Sequence, residues 1–293
     1  MSITLFDLTY RVMRELGLTH DGTATGGAAT TINDTVDRTE ANDYWNGGTA
    51  WILYDAGGAG ASPEGKYAKI TDSTSAGALT IVTVTDAVAA GDRYSVSRNI
   101  VPLEIVIQKI NQALFALGSV PLYSTATAIA ANQTEYSLPA AVRDIRRVSY
   151  QTVDDSNDNR WVELQGWFIQ PNNTSGGADV LILPEQLSAS FDMKIDYMAP
   201  HPSLNIYSDI LYDAVPPELV VYPAVVECLR FRRQRSGWQR EFEADLQRYD
   251  DLAEKMRQSR SLRNIIKKPG RLVKHTGYDI TIDDSEPNKV YLR

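Results

Sequence analysis

Residues 60–74, with the sequence GASPEGKYAKITDST, distinguish a nucleotide-binding α/β fold from an antiparallel β fold. Gly60, Gly65 and Lys66 match the first seven positions of the pattern G-x-x-x-x-G-K-[ST], in which a glycine-rich loop wraps phosphates and a helix follows. The eighth residue is Tyr67, so the hydroxyl that binds Mg²⁺ is missing, and the following residues alternate as in a strand. We therefore predict a hairpin loop between antiparallel strands and no nucleotide site.

The surrounding residues 20–98 are rich in Gly, Ala, Thr and Asp. Short alternating runs predict strands, and turn residues separate them. The runs are ATTIND (29–34), TAWILYD (49–55), KYAKITD (66–72), ALTIVTVT (78–85) and DRYSVS (92–97). Because helical patterns precede and follow this region, we predict that it is an inserted all-β domain.

Four segments have helical periodicity. The first opens with a possible capping box at Thr4 and Asp7, the second ends at Gly118, and the third follows Pro216. The fourth is a long amphipathic segment with an apolar stripe. These segments predict a helical core made of residues 1–19, 99–119 and 207–262.

The other residues predict strands and an arm. Residues 120–206 contain the runs TEYSLPAAVRDIRRVSYQT (134–152), RWVELQGWFIQP (160–171), ADVLILP (178–184) and SASFDMKIDYMAP (188–200), which we interpret as antiparallel strands. Residues 263–293 have no helical stripe and predict an extended C-terminal arm. The predicted fold class is α+β, with a helical-bundle core, a small antiparallel β domain, the inserted all-β domain and the arm.

Composition argues against several classes of function. The single cysteine, Cys228, lies in an apolar run, so we expect a buried small hydrophobe and no disulfide. Residues 154–159, DDSNDN, lack the glycine and the terminal glutamate of a calcium loop. The three histidines are far apart, and no Ser/His or Cys/His constellation stands out. We expect no cofactor, no enzymatic activity and no membrane span, and synthesis in the cytoplasm.

Charge is distributed unevenly along the chain. Residues 230–275 contain 14 basic and six acidic side chains, a net charge of +8, whereas the other 247 residues contain 15 basic and 31 acidic side chains, a net charge of −16. Such asymmetry predicts a specialised surface, although a solvated helix face is an equally simple interpretation.

The order of these elements resembles that of the head-to-tail adaptor proteins of tailed bacteriophages. The resemblance is carried by the segments IVIQKINQALFALG, TEYSLPAAVRDIRRVSY, VPPELVVYPAVVECLRF and EADLQRYDDLAEKM, followed by the C-terminal arm, and residues 21–72 look like the β modules inserted in phage structural proteins. It implies a structural virion protein at the head-tail junction, assembled in the host cytoplasm. Another neck or tail component, such as a tail-completion, collar or fibre-attachment protein, is the alternative.

The resemblance also implies partners. The chain would form a homo-oligomeric ring, usually of twelve copies, that contacts the portal protein and tail or neck proteins. DNA would pass through the channel without sequence-specific binding, and the C-terminal arm would reach the portal.

The candidate contact residues combine the charge pattern with this resemblance. Phosphate contacts multiplied around a ring would hold DNA tightly and hinder ejection, so we predict that most of the arginines between residues 230 and 240 face carboxylates of a neighbouring subunit or of the portal. The strand predicted at residues 277–283 would add to a sheet of another chain or pair within its own subunit. The candidates are Arg230, Arg232, Arg233, Arg235, Arg240, Lys267, Lys268, Arg271, Lys274, Tyr278, Ile280 and Ile282.

Overall fold

The computed structural model describes residues 2–58, 60–125, 127–130, 132–138, 142, 144–151, 161–171, 178–187, 192–236, 240–259, 273–275, 278–282 and 290–292. The chain divides into two compact units. The first consists of Met1–Gly118 and His201–Ser261, and the second consists of Ser119–Pro200 and Leu262–Arg293.

A seven-stranded antiparallel sheet occupies the first unit. Its strands are β1 (His20–Thr23), β2 (Gly26–Ala28), β3 (Thr31–Asn33), β4 (Thr49–Tyr54), β5 (Tyr67–Ser73), β6 (Ala78–Ile81) and β7 (Arg93–Ser97), in the order β1-β7-β4-β5-β6-β3-β2. The five runs that predicted strands correspond to β3 to β7. β1 and β2 were not predicted, because HDGT and GGA contain no apolar alternation.

The loop that precedes β5 confirms the predicted hairpin between antiparallel strands. β5 begins at Tyr67, so a strand and not a helix follows the glycine-rich loop. The Gly65 N–H donates to the carbonyl of Ile52 at 3.0 Å, which continues the pairing of the hairpin. The Lys66 ammonium contacts the hydroxyls of Ser62 and Thr85. No helix N-terminus faces this loop within the described part of the hairpin, so it lacks the geometry of a phosphate site.

Four helices are described, and all lie in the first unit: α1 (Leu5–Glu15), α2 (Leu103–Leu117), α3 (Glu218–Ser236) and α4 (Arg240–Ser259). The predicted capping box is present, because the Thr4 hydroxyl accepts from the Asp7 N–H and the Thr4 N–H donates to the Asp7 carboxylate at 2.9 Å. Gly118 ends α2 at a φ of 71°, a conformation that glycine adopts without strain. Cys228 is fully buried in α3, as predicted.

A segment that follows His201 connects the helices of the first unit. Asn111 of α2 makes two hydrogen bonds, each of 2.8 Å, to the backbone N–H and carbonyl of Leu204. At the start of α1, the Leu5 N–H donates to the carbonyl of Asp209 at 2.8 Å. The segment therefore satisfies one of the backbone donors that the beginning of α1 leaves free.

The second unit is built from short antiparallel strands: β8 (Ser119–Ser124), β9 (Glu135–Ser137), β10 (Ile145–Gln151), β11 (Trp161–Glu163), β12 (Phe168–Gln170), β13 (Val180–Ile182) and β14 (Met193–Pro200). They form a four-stranded sheet, β11-β10-β14-β8, and a three-stranded sheet, β12-β13-β9. β9 and β10, which were predicted as consecutive strands across a turn, belong to different sheets. The segment compared with a calcium loop, residues 154–159, lies outside the described residues.

The predicted fold class is wrong in its main statement. The described chain is mostly antiparallel β-sheet with four helices, and it does not have a helical-bundle core. Much of the buried apolar side-chain surface belongs to the sheets, in one cluster around Ile52, Ile70 and Tyr94 and another around Leu181 and Ile195. The error arose because a long helix gives a strong periodic signal, whereas a strand of three residues gives almost none.

The C-terminal part is also more regular than an extended arm. β15 (Val273–His275), β16 (Tyr278–Ile282) and β17 (Val290–Leu292) form a three-stranded antiparallel sheet with β16 in the middle. β16 therefore pairs on both sides within its own chain. The sequences VKH and VYL are too short to show a period of two, so the sequence alone did not predict their pairing.

Candidate interaction surface

The predicted basic residues begin where the sequence of α3 changes from mostly apolar to mostly basic. Up to Leu229, α3 is mostly apolar apart from Glu218 and Glu227, and its buried residues are Leu219, Val220, Val221, Ala224, Val225, Val226, Cys228 and Leu229. A helix that is apolar all round is covered by its neighbours, and α3 packs against α1, α2 and α4. The last turns, residues 230–235, contain four arginines and are half-buried or exposed. We call residues 230–235 the basic end of α3.

Arg230 links two helices of its own chain. Its guanidinium lies 2.5 Å from the Glu227 carboxylate on α3 and 3.2 Å from the Asp250 carboxylate on α4. Lys109 of α2 lies 3.8 Å from the same Glu227. All of these side chains except Lys109 are more than one third exposed, so the ion pairs orient the helices more than they stabilise them. Arg230 is thus paired with carboxylates of its own chain.

The arginines beyond Arg230 differ in their surroundings. Arg232 is half-buried, whereas Arg233 and Arg235 are exposed. Within the described part of the chain, neither Arg233 nor Arg235 has a carboxylate or a hydrogen-bond partner. Cations at a helix C-terminus interact favourably with the helix dipole, which explains why α3 tolerates these arginines. The dipole does not, however, provide a hydrogen-bond acceptor for their side-chain N–H groups.

A groove lies beside this end, between α2, α3 and α4. Its volume is about 290 Å³, and Glu227, Arg230 and Asp250 stand among its lining residues. Its apolar lining consists of Ala113 and Ala116 of α2, Pro223 and Val226 of α3 and Ala253 of α4. Phe115 of α2 immediately precedes Ala116 of this groove in sequence and is 84% exposed. The phenyl ring adds exposed apolar surface to the helix that also lines this groove of mixed apolar and charged residues, and exposed apolar surface rimmed by polar residues is typical of a protein contact site.

α4 presents a second charged surface. Among the side chains of α4 that the structure describes, Tyr249 and Ala253 are buried, and the Tyr249 hydroxyl lies 2.8 Å from the Glu15 carboxylate at the end of α1. Burial, followed by the hydrogen bond to Glu15, raises the pKa of Tyr249 to about 12, so this hydroxyl stays a proton donor. The outward side of the helix carries Glu243, Asp251 and Glu254, all exposed.

The remaining candidate residues are described only in part. Arg240 is the first residue of α4, Lys274 belongs to β15, and Tyr278, Ile280 and Ile282 belong to β16, each placed by its backbone. Lys267, Lys268 and Arg271 lie outside the described residues. The structure therefore brings together Arg230, Arg232, Arg233 and Arg235 on one helix end, while a contact of the C-terminal residues with another chain stays a prediction.

Sequence reasoning missed two parts of this surface. Phe115 was not singled out, although it follows Leu114 of the buried stripe and so falls on the opposite side of α2 from Ile110. Tyr249 was assigned only to an apolar stripe, because its partner Glu15 is 234 positions away in the chain. The exposed phenyl ring could have been found from helical spacing, whereas the tyrosine contact could not.

The described residues contain no group of three or more His, Cys, Asp or Glu side chains arranged to hold a metal ion. Among the helices of the described chain, none combines the length and the apolar character needed to cross a bilayer. The protein matches no profile of a known protein family and no curated protein sequence.

Proposed function

We propose that this chain is a structural virion protein that forms a homo-oligomeric ring at the head-tail junction of a tailed bacteriophage. The ring would join the portal to the tail and surround the path of the DNA. The proposal rests on the resemblance of the element order to head-to-tail adaptors, and its main support in the structure is the surface formed by the basic end of α3, the groove and Phe115. That surface offers Arg233 and Arg235, which have no carboxylate partner among the described residues, and apolar area for a protein partner.

A role in gripping DNA has less support. A surface that binds the phosphate backbone is basic over its whole extent. α3 and α4 together contain eight basic and eight acidic residues, so the helix pair that carries the basic end is neutral overall. Neutrality with segregated charges suits contact with another protein, and it suits a conduit through which DNA must move.

The alternative function, another neck or tail component, uses the same kind of surface at a different place in the particle. The position of the protein in the virion therefore distinguishes the two proposed functions. The test is to image virions that carry a small tag inserted between Asp43 and Tyr44, in the exposed turn that precedes Trp45. We expect a ring of label between capsid and tail. Label at the tail tip or on fibres would favour the alternative, and particles without label would contradict both.

A further inference from the structure

Two charged surfaces of opposite sign lie on the α3–α4 pair. The basic end of α3 carries four arginines within six residues. On α4, Glu243, Gln247, Asp251, Glu254 and Gln258 follow one another at spacings of four, four, three and four residues. Such spacings place side chains on one side of a helix. We call these five residues the acidic face of α4.

Within the chain, the charged side chains of the two surfaces make only some of the hydrogen bonds and ion pairs that they can make. Asp251 accepts from Gln247 at 2.9 Å, and Glu254 accepts from Gln258 at 2.9 Å and lies 3.9 Å from Arg257, so both carboxylates keep lone pairs for further donors. The side-chain N–H groups of Arg233 and Arg235 have no hydrogen-bond acceptor among the described residues. The guanidinium group is planar and pairs with a carboxylate through two parallel hydrogen bonds. Each surface therefore offers what the other lacks.

We propose that the basic end of α3 in one copy of the chain docks on the acidic face of α4 in a neighbouring copy. This inference rests on the proposed function, because it requires the chain to assemble, and it adds the surface that does so. The two surfaces belong to different helices, so the contact is heterologous: each copy uses its α3 towards one neighbour and its α4 towards the other. Heterologous contacts generate rings when the rotation closes.

The charge pattern favours a second copy over other occupants. A DNA partner would be repelled by the acidic face, and a uniformly acidic protein would satisfy the arginines but leave the acidic face unused. A second copy satisfies both at once. Because the pairs are exposed, their contribution is screened by salt, and assembly is expected to weaken as ionic strength rises.

The test is a charge exchange between variants. Arg233→Glu with Arg235→Glu makes the end of α3 acidic, and Asp251→Lys with Glu254→Lys makes the face of α4 basic. Alone, each double variant opposes like charges at every contact, and we expect the concentration at half-assembly to rise about tenfold or more. A one-to-one mixture of the two restores opposite charges at every contact of a ring in which the two variants alternate, and a variant with all four substitutions also restores them at every contact. Both should assemble as the wild-type chain does.

A matched control changes the same net charge elsewhere. Arg11→Glu with Lys69→Glu alters exposed residues of α1 and β5 and should leave assembly unchanged. The mixture also controls for folding, because a misfolded variant could not be rescued by its partner.

The outcomes separate this inference from the proposed function. The α3–α4 contact would be overturned if the double variants assemble like the wild type, or if neither the mixture nor the fourfold variant regains assembly. Neither result would contradict the proposed ring. Unchanged assembly with lost DNA binding would show that the basic end contacts nucleic acid. A wild-type chain that does not assemble would overturn the proposed function.

Discussion

At the scale of single residues, His201 is held in one protonation state by its two neighbours. Its Nδ1–H donates to the Pro202 carbonyl at 2.6 Å, and its Nε2 accepts the Tyr212 N–H at 3.1 Å. A carbonyl cannot donate and a backbone N–H cannot accept, so only the neutral imidazole with the proton on Nδ1 fits. Burial lowers the pKa of His201 below its ordinary value of 6.5.

This arrangement predicts a loss of stability in mild acid. Because the folded pKa lies below 6.5, the unfolded chain binds more protons than the folded chain below that pH, and stability falls until the folded group is protonated too. We expect the free energy of unfolding to decrease on going from neutral pH into the region below 6.5, and the decrease to be smaller in His201→Gln, which cannot titrate. Urea unfolding at several pH values measures it. Identical pH dependence in both proteins would show that His201 is not responsible.

Lys66 is the residue that the phosphate-loop pattern made conspicuous. Its ammonium contacts the hydroxyls of Ser62 and Thr85. We expect Lys66→Ala to change the free energy of unfolding by less than about 0.5 kcal/mol, because substitutions at such positions have small effects. The wild-type chain should not bind ATP in a calorimetric titration, and specific ATP binding that disappears in the variant would restore the nucleotide hypothesis.

At the scale of elements, Trp51 joins the seven-stranded sheet to the first helix. The indole on β4 is fully buried, its Nε1–H donates to the Thr9 hydroxyl of α1 at 3.3 Å, and its ring centroid lies 6.4 Å from that of Tyr10. The Thr9 hydroxyl in turn donates to the Phe6 carbonyl at 2.9 Å. The β domain thus has a core of its own, and Trp51 also packs this domain against α1.

Removing this contact should be costly. We expect Trp51→Ala to lower the free energy of unfolding by about 3–5 kcal/mol, because a large buried side chain leaves a cavity that its surroundings fill only in part. Phe115→Ala is the control: the ring is 84% exposed, and the expected change is within about 0.5 kcal/mol. Denaturant titration of both variants gives the comparison. Equal, small effects would mean that β4 and α1 do not depend on each other.

The features that could be predicted are those that depend on residues close to one another in the sequence. The capping box at Thr4 and Asp7 and the end of α2 at Gly118 depend on residues within one helical turn. The contact between Arg230 and Asp250 depends on how the chain turns between α3 and α4, and the one between Trp51 and Thr9 spans 42 positions. Such contacts are set by tertiary packing, which periodicity does not encode.

At the scale of the whole molecule, the segregation of charge predicted from the sequence remains informative, although the helical-bundle core does not. The basic arginines occupy one helix end, and part of the chain's excess of acid lies on the neighbouring helix. The fold class was misjudged because many short strands, which individually contribute from none to five buried residues, together build sheets with large buried apolar clusters. Charge can be counted along a sequence without knowing the fold, so its segregation did not depend on the assignment of helices and strands.

The central claim is that the chain assembles into a ring, and the mass of the purified protein in solution tests it most directly. Sedimentation velocity at low salt, with and without the portal protein, should reveal a closed assembly. Twelve copies of 32.5 kDa give about 390 kDa, and negative-stain images should show rings of uniform diameter. A chain that remains at 32.5 kDa over the accessible concentration range, both alone and with the portal protein, would contradict the account.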